Sequence, residues 1–266
     1  MTKALTTKQA VTLAFLLPFL TKLLVLPSIL ATFSGKYGYL VVFFLVLLEC
    51  VLAFCVLKIV EKSKSKNYFA LLKNSVGELI AKVIITLYAI YYFVKVLLLI
   101  LETNNFFSYS FYNFFSPYLF IFSLSILIFY VANLKFKIFA RSIEFFKLPF
   151  IISILIAMII SFLNSNPINS LPIFENNWTE QIFNGFKIMF WFGDFLVFFL
   201  FIGRVKVDNN FTKKTVLSFF ASGVLTALFK FNFYNMFNVV ATQKTLAFAD
   251  ILTMVSNSAL NKQYQS

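Results

Sequence analysis

The sequence predicts an all-α integral membrane protein, and three observations carry that prediction. Of its 266 residues, 61% are hydrophobic and 12% charged, with 39 phenylalanines, whereas soluble domains average about 45–50% apolar and about 25% charged. The mean hydropathy is +0.87, and too little charge is left to coat a water-soluble globule. The apolar residues also fall in runs of about 17 to 25, the length needed to cross a hydrocarbon core of about 30 Å as a helix. Isolated strands leave backbone groups unmet in lipid, and the alternating segments of a β-barrel are not seen. There is no histidine, and Cys50 and Cys55 share one apolar run. His-ligated metals, His-based triads and a disulfide framework are therefore excluded, and no metal or cofactor is expected.

About seven spans emerge, at roughly 9–33, 38–58, 79–101, 118–134, 142–163, 183–203 and 214–241, within one transmembrane domain over residues 1–266. The first carries Lys22, Pro18 and Pro27 and lacks a small-residue cleavage pattern, so it reads as a retained span rather than a signal peptide. The second holds Glu49 near its middle. The stretch 61–78 that follows, opening on EKSKSKNY, is expected to form a short surface helix against anionic lipid or to serve as a solvated topology signal. The third span contains Lys95 and ends near Glu102, the fourth is uninterrupted, and the fifth begins beside Arg141 and Lys147. The sixth is interrupted by Gly193 and Asp194. The seventh contains Lys230, and 242–266 follows as a tail.

Charge placement orients these spans. Of the 23 Lys and Arg residues, sixteen fall on the side of the N-terminus, three (Lys36, Lys244 and Lys262) on the opposite side, and four (Lys22, Lys95, Lys187 and Lys230) within spans. Positive residues favour the cytoplasmic face, so the N-terminus is expected inside, and an odd span number places the C-terminus outside. The formal charge of +13 is thereby an orientation signal, and no nucleic-acid partner is needed to explain it.

The charges inside the spans are the informative ones, because an ionisable group at mid-membrane costs about 2.5 to 3.5 kcal/mol on insertion scales. Lys22 and Glu49 lie at similar depth by residue counting. A structural ion pair, a substrate or proton-coupling role, and snorkelling of the lysine all remain open. Lys95 and Lys230, both flanked by aromatics, and the near-terminal Lys187 and Glu102 read first as structural or interfacial. Span 1 places Pro18 and Pro27 around Thr21 and Lys22, and a mid-span proline frees backbone groups to face a cavity. Span 6 places Gly193 before Asp194 in GFKIMFWFGDFLVFFLFIG. Glycine permits close approach, and a mid-membrane aspartate requires a cation or a proton. Interruptions in helices 1 and 6 point to inverted-repeat transporters with a midplane substrate site.

Several stretches resemble one family along nearly the whole chain: TTKQA and LPSILATFSGKYGYL, then LKFKIFARSIEFFKLPFII, then NSLPIFENNWTEQIFNGFKIMFWFGDFLVFF. They are similar to the spore germination permeases, the B subunits of nutrient germinant receptors, a branch of the amino acid, polyamine and organocation (APC) superfamily. The resemblance implies a LeuT-like helical bundle with broken helices 1 and 6. It implies a small nutrient such as an amino acid as ligand, other germinant-receptor subunits as partners, and a location in the inner, cytoplasmic or spore, membrane. Gly193 and Asp194 match the Gly and acidic pair of the family's sixth helix, Pro27 and Ser28 its Pro-Ser, and Arg141 and Glu144 the approach to its fifth helix. Two departures accompany these matches. The glycine of the first helix's unwound segment is replaced around Leu20 and Thr21, with Lys22 just after. A lysine there can hold a carboxylate directly or occupy a coupling-cation position; Lys147 is a second candidate for such a tethered cation, with snorkelling near the cytoplasmic end of its span as the other reading. The family's ten spans form two inverted sets of five, so about seven spans imply a first repeat over about 9–163 and an incomplete second over about 183–241.

The expected function is accordingly a permease subunit that binds or transports an amino acid between helices 1 and 6. Thr21, Lys22, Gly193 and Asp194 are its candidate ligand residues, and Lys22, Glu49 and Lys147 its candidates for coupling or ion pairing. A truncated, non-transporting membrane subunit acting as an interaction scaffold is the expected alternative. No paired carboxylates, His cluster or Gly-rich phosphate loop lies at the span ends, so an enzyme is not expected.

Overall fold

Prolines and glycines set the ends of the helices into which the apolar runs fold. The computed structural model describes residues 5–110, 116–134, 136–170, 177–251 and 253. Helix α1 runs Thr7–Leu23 and α2 runs Leu26–Ser34. Pro18 lies inside α1 without ending it, so the expected interruption around Thr21 and Lys22 falls instead just after them. Pro27 explains the position: it has no N–H to donate to the carbonyl of Leu23, and its ring crowds that same carbonyl. The chain restarts with Ser28 and Ile29 both donating to the Val25 carbonyl, at 3.0 and 3.1 Å.

Gly35, at φ 50°, ends α2 while its N–H bonds the Ala31 carbonyl. A 3-10 turn over Gly35–Tyr37 leads into α3, Gly38–Lys62. The expected surface helix forms as α4, Tyr68–Val76, none of whose residues is buried. Asn67 caps it, its side chain accepting from the Ala70 N–H at 2.8 Å, which satisfies one of the four amides a helix leaves open at its start. Helix α5 extends over Glu78–Ser110, α6 over Pro117–Ala132 and α7 over Phe136–Leu163. Helix α8, Trp178–Gly185, continues as a 3-10 segment, Phe186–Trp191. A second 3-10 segment, Asp194–Phe201, starts after Phe192 and Gly193. Helix α9 spans Phe211–Phe237 and tightens into a last 3-10 turn, Asn238–Gln243.

Among the described residues, five runs are long and apolar enough to cross a membrane: Leu26–Lys62, Glu78–Tyr109, Phe136–Leu163, Trp178–Phe201 and Phe211–Gln243. The sequence suggested about seven. The difference has two sources. The first expected span is divided at Leu24 and Val25, leaving α1 with 17 residues and joining α2 to the second span. The expected fourth span is α6, which has 16 residues. Among the described residues there are no strands beyond one isolated bridge, between Leu5 and Val205. Residues 252 and 254–266 of the expected tail, and 171–176 of the resemblance, lie outside the described residues.

The chain divides into two units. Unit 1 comprises Met1–Phe15, Glu49–Phe145 and Asp194–Phe219. Within it Leu5 pairs with the chain after the second 3-10 segment: its N–H donates to the Arg204 carbonyl at 2.7 Å and its carbonyl accepts from Lys206 at 2.8 Å. The Asp194–Phe201 segment is held on its sides. The Tyr88 hydroxyl donates to the Leu196 carbonyl at 3.2 Å, Tyr68 stacks on Phe199 with ring centroids 4.4 Å apart, and Phe198 meets Phe219 edge-on at 5.5 Å. Gly203, at φ 69°, turns the chain away, and a side chain there would overlap the Lys66 carbonyl.

Unit 2 comprises Leu16–Leu48, Phe146–Gly193 and Phe220–Ser266. Its core draws on the end of α1, on α2, α7 and α9, with Phe19, Leu23, Ile154, Met158, Phe229 and Phe233 packed together. In lipid, apolar contact between helices is not rewarded by release from water, so close packing and internal polar contacts supply the cohesion. The glycines show that closeness: Cβ atoms at Gly185 and Gly223 would strike Val41 and Val46 respectively.

Candidate functional site

In unit 1 the carboxylate of Asp194 accepts from the Lys95 ammonium at 2.5 Å, and the backbone N–H of Asp194 donates to Glu49 Oε1 at 3.0 Å. All three residues are buried, with exposures of 1% to 4%. The position of Asp194 accounts for both contacts. It opens a helical segment directly after Phe192 and Gly193, so its N–H belongs to the first turn and has no carbonyl of a preceding turn to bond. Glu49 supplies an anionic acceptor at that helix start, where the peptide dipoles favour negative charge. Charge-assisted bonds of this kind are roughly twice as strong as neutral ones. The Tyr91 ring lies 5.9 Å from the Lys95 ammonium, a second favourable neighbour for the cation.

The arrangement therefore contains two carboxylates and an ammonium at one buried point, on α3, α5 and the segment after Gly193. Such a set can take up, pass on or release a proton or a small cation, because any change of charge on one member alters the cost of charging the others. Glu49 and Asp194, separate candidates in the sequence, are brought together here. Lys95, by its sequence context a structural or interfacial residue, joins them, and its distance from both ends of its span is the sequence signal for that burial.

Unit 2 holds the other candidates. The Lys22 ammonium, buried near the end of α1, lies 4.5 Å from the centre of the Phe192 ring, a cation–π contact. Phe192 and Gly193 are the two buried residues between the 3-10 segments. The interruption after α1 and the interruption before Asp194 are thus neighbours within this unit. The Thr21 hydroxyl donates to the Pro18 carbonyl at 3.1 Å, so its proton is used within the helix. Lys147 lies half-buried on α7, two residues before Pro149. No described hydrogen bond or ion pair joins it to the Lys22 and Phe192 group.

Arg141 and Glu144, the residues matched to the approach to helix 5, lie in unit 1, where Glu144 accepts from the Gln9 side-chain amide at 3.2 Å. Among the described residues, no group of three His, Cys, Asp or Glu side chains is placed to hold a metal ion.

The sequence model of one family, described as spore germination protein (spore permease), matches residues 4–256. No curated protein matches the chain. No solved structure matches it either.

Proposed function

The chain belongs to the spore germination permease family, a family of germination-related membrane permeases, and we propose that it binds a small zwitterionic nutrient such as an amino acid beside the paired interruptions of unit 2. The observation that carries this reading is the Lys22 ammonium over the Phe192 ring, which sets a buried cation at two places where helical hydrogen bonding is interrupted. Lys22 receives the ligand carboxylate. Thr21 and the backbone around Gly193 supply polar contacts, in the manner of unwound helix segments in transporters. Asp194, the next residue along, is held with Glu49 and Lys95 in unit 1 and serves as the proton or coupling site. The reading is of a binding and transport protein of the LeuT-like type rather than an enzyme, and the Lys and Arg bias supports a cytoplasmic N-terminus.

Thermal unfolding of the detergent-purified protein against a panel of amino acids tests the ligand. At least one is expected to raise the midpoint by about 2 to 4 °C for each kcal/mol of binding, and Lys22→Gln to abolish the shift. No response across the panel, or a full response in Lys22→Gln, overturns the reading. For the coupling role, uptake into proteoliposomes by Asp194→Asn should lose its dependence on an imposed proton gradient; retention of that dependence removes Asp194 from the mechanism.

A further inference from the structure

Another buried ammonium lies in unit 2, apart from the residues just assigned. Lys230, on α9, is among the largest fully buried side chains of the described residues at 1% exposure, and among those residues its Nζ has no hydrogen-bond partner. Its surroundings are shaped around it. The Phe233 and Tyr234 rings lie 5.6 and 5.1 Å from the ammonium. Gly38, the first residue of α3, leaves the space occupied by the end of the lysine side chain, where a Cβ would overlap Lys230 Cε. Ser34, the last residue of α2, carries another such atom, its hydroxyl oxygen, also buried and without a hydrogen-bond partner among the described residues.

An ammonium has three N–H donors and no acceptor. Aromatic faces offset only part of its lost hydration, and a charge held in a low-dielectric site requires an opposite charge or loses its proton. The same unit contains a cavity of about 570 Å³ lined by Gly35, Lys36, Gln181, Tyr234, Asn238 and Thr242, among others, with no Asp or Glu among its described lining residues. Tyr234 is common to both: it lines the cavity and flanks the Lys230 ammonium. A polar cavity with a buried ammonium behind its Tyr234 wall, and no carboxylate among its described lining residues, favours an anion over a cation.

The geometry points to a second ligand site, in which Lys230 binds the carboxylate of a small organic acid that enters through the cavity beside Tyr234. The site is independent of the reading built on Lys22. The carboxylate supplies the acceptors and the charge that Lys230 lacks, and the neutral amides and hydroxyls of the wall contact the rest of the molecule.

Thermal unfolding of the full-length protein in detergent tests the assignment with three probes at matched ionic strength: sodium acetate, its neutral counterpart acetamide in sodium chloride, and sodium chloride alone. Acetate is expected to raise the midpoint by about 2 to 4 °C at saturating concentration, and the other two to leave it unchanged. The shift persists in Lys22→Gln, which separates this site from the one proposed above, and disappears in Lys230→Gln. An equal response to acetamide or chloride, no response to acetate, loss of the shift in Lys22→Gln, or a full shift in Lys230→Gln overturns the assignment. Should Lys230→Gln not fold, the acetate and acetamide comparison in wild type and in Lys22→Gln decides the matter.

Discussion

Lys95 in unit 1 and Lys230 in unit 2 are both buried lysines in the middle of apolar helices, and the two units treat them differently. Lys95 donates to the Asp194 carboxylate at 2.5 Å, in a group completed by Glu49. Lys230 is fitted by shape, against Gly38 and beside two aromatic rings, with no acceptor on its ammonium among the described residues. The first is a charge fixed by charge, so removing it strands an anion. The second is a charge fixed by packing, so removing it strands nothing and relieves a desolvated cation.

The largest expected effect follows from the first half of that contrast. Lys95→Met should destabilise the purified protein by about 3 to 5 kcal/mol, the usual cost of breaking a buried ion pair from one side, measured by unfolding in mixed micelles. Lys95→Met combined with Asp194→Leu should recover most of the loss, because the stranded charge is gone; failure to recover would mean that the lysine contributes through packing, as Lys230 does. A smaller effect probes the shape-based half. Gly38→Ala forces the end of the Lys230 side chain to move and should cost about 1 kcal/mol, near the low end of overpacking because the obstructing atom is on a flexible stem.

Tyr91→Leu should lower stability by about 0.5 kcal/mol through the lost cation–π contact to Lys95; a larger loss would transfer weight in unit 1 from the carboxylate to the ring. Smallest of all, Lys230→Met should leave unfolding in anion-free buffer nearly unchanged or slightly improved, since a buried ion replaced by an apolar side chain of similar volume is often neutral or stabilising. A loss as large as that of Lys95→Met would erase the contrast between the two units.

The sequence made much of the fold legible. The run expected at 38–58 is α3, Gly38–Lys62, and the run expected at 79–101 begins α5, Glu78–Ser110. Both helices extend past the apolar run because a helix ends where its hydrogen bonding is interrupted, whereas the hydropathy pattern ends where the lipid would. Pro18 and Pro27 point to an interruption around Thr21 and Lys22, whereas α1 runs through both and ends at Leu23. A count of prolines does not say which one ends a helix, and here the clash at the Leu23 carbonyl decides.

The candidate site was legible only in part. Asp194 stood out because glycine and a carboxylate interrupt an apolar run, and Glu49 because a mid-span acid is costly. Lys95 and Lys230 were alike in sequence, each flanked by aromatics, and their difference depends on residues about 100 and 190 positions away, Asp194 and Gly38. By itself the sequence determined the solvent, since composition and run length are sums over residues and need no coordinates. It also determined the helical class, which backbone hydrogen bonding in lipid imposes on any such chain, and the family whose pattern residues 4–256 match. Only the tertiary structure decided which buried charge has a counter-charge and which has only shape around it, because a charge pair depends on distance through space, and distance along the chain carries almost none of that information.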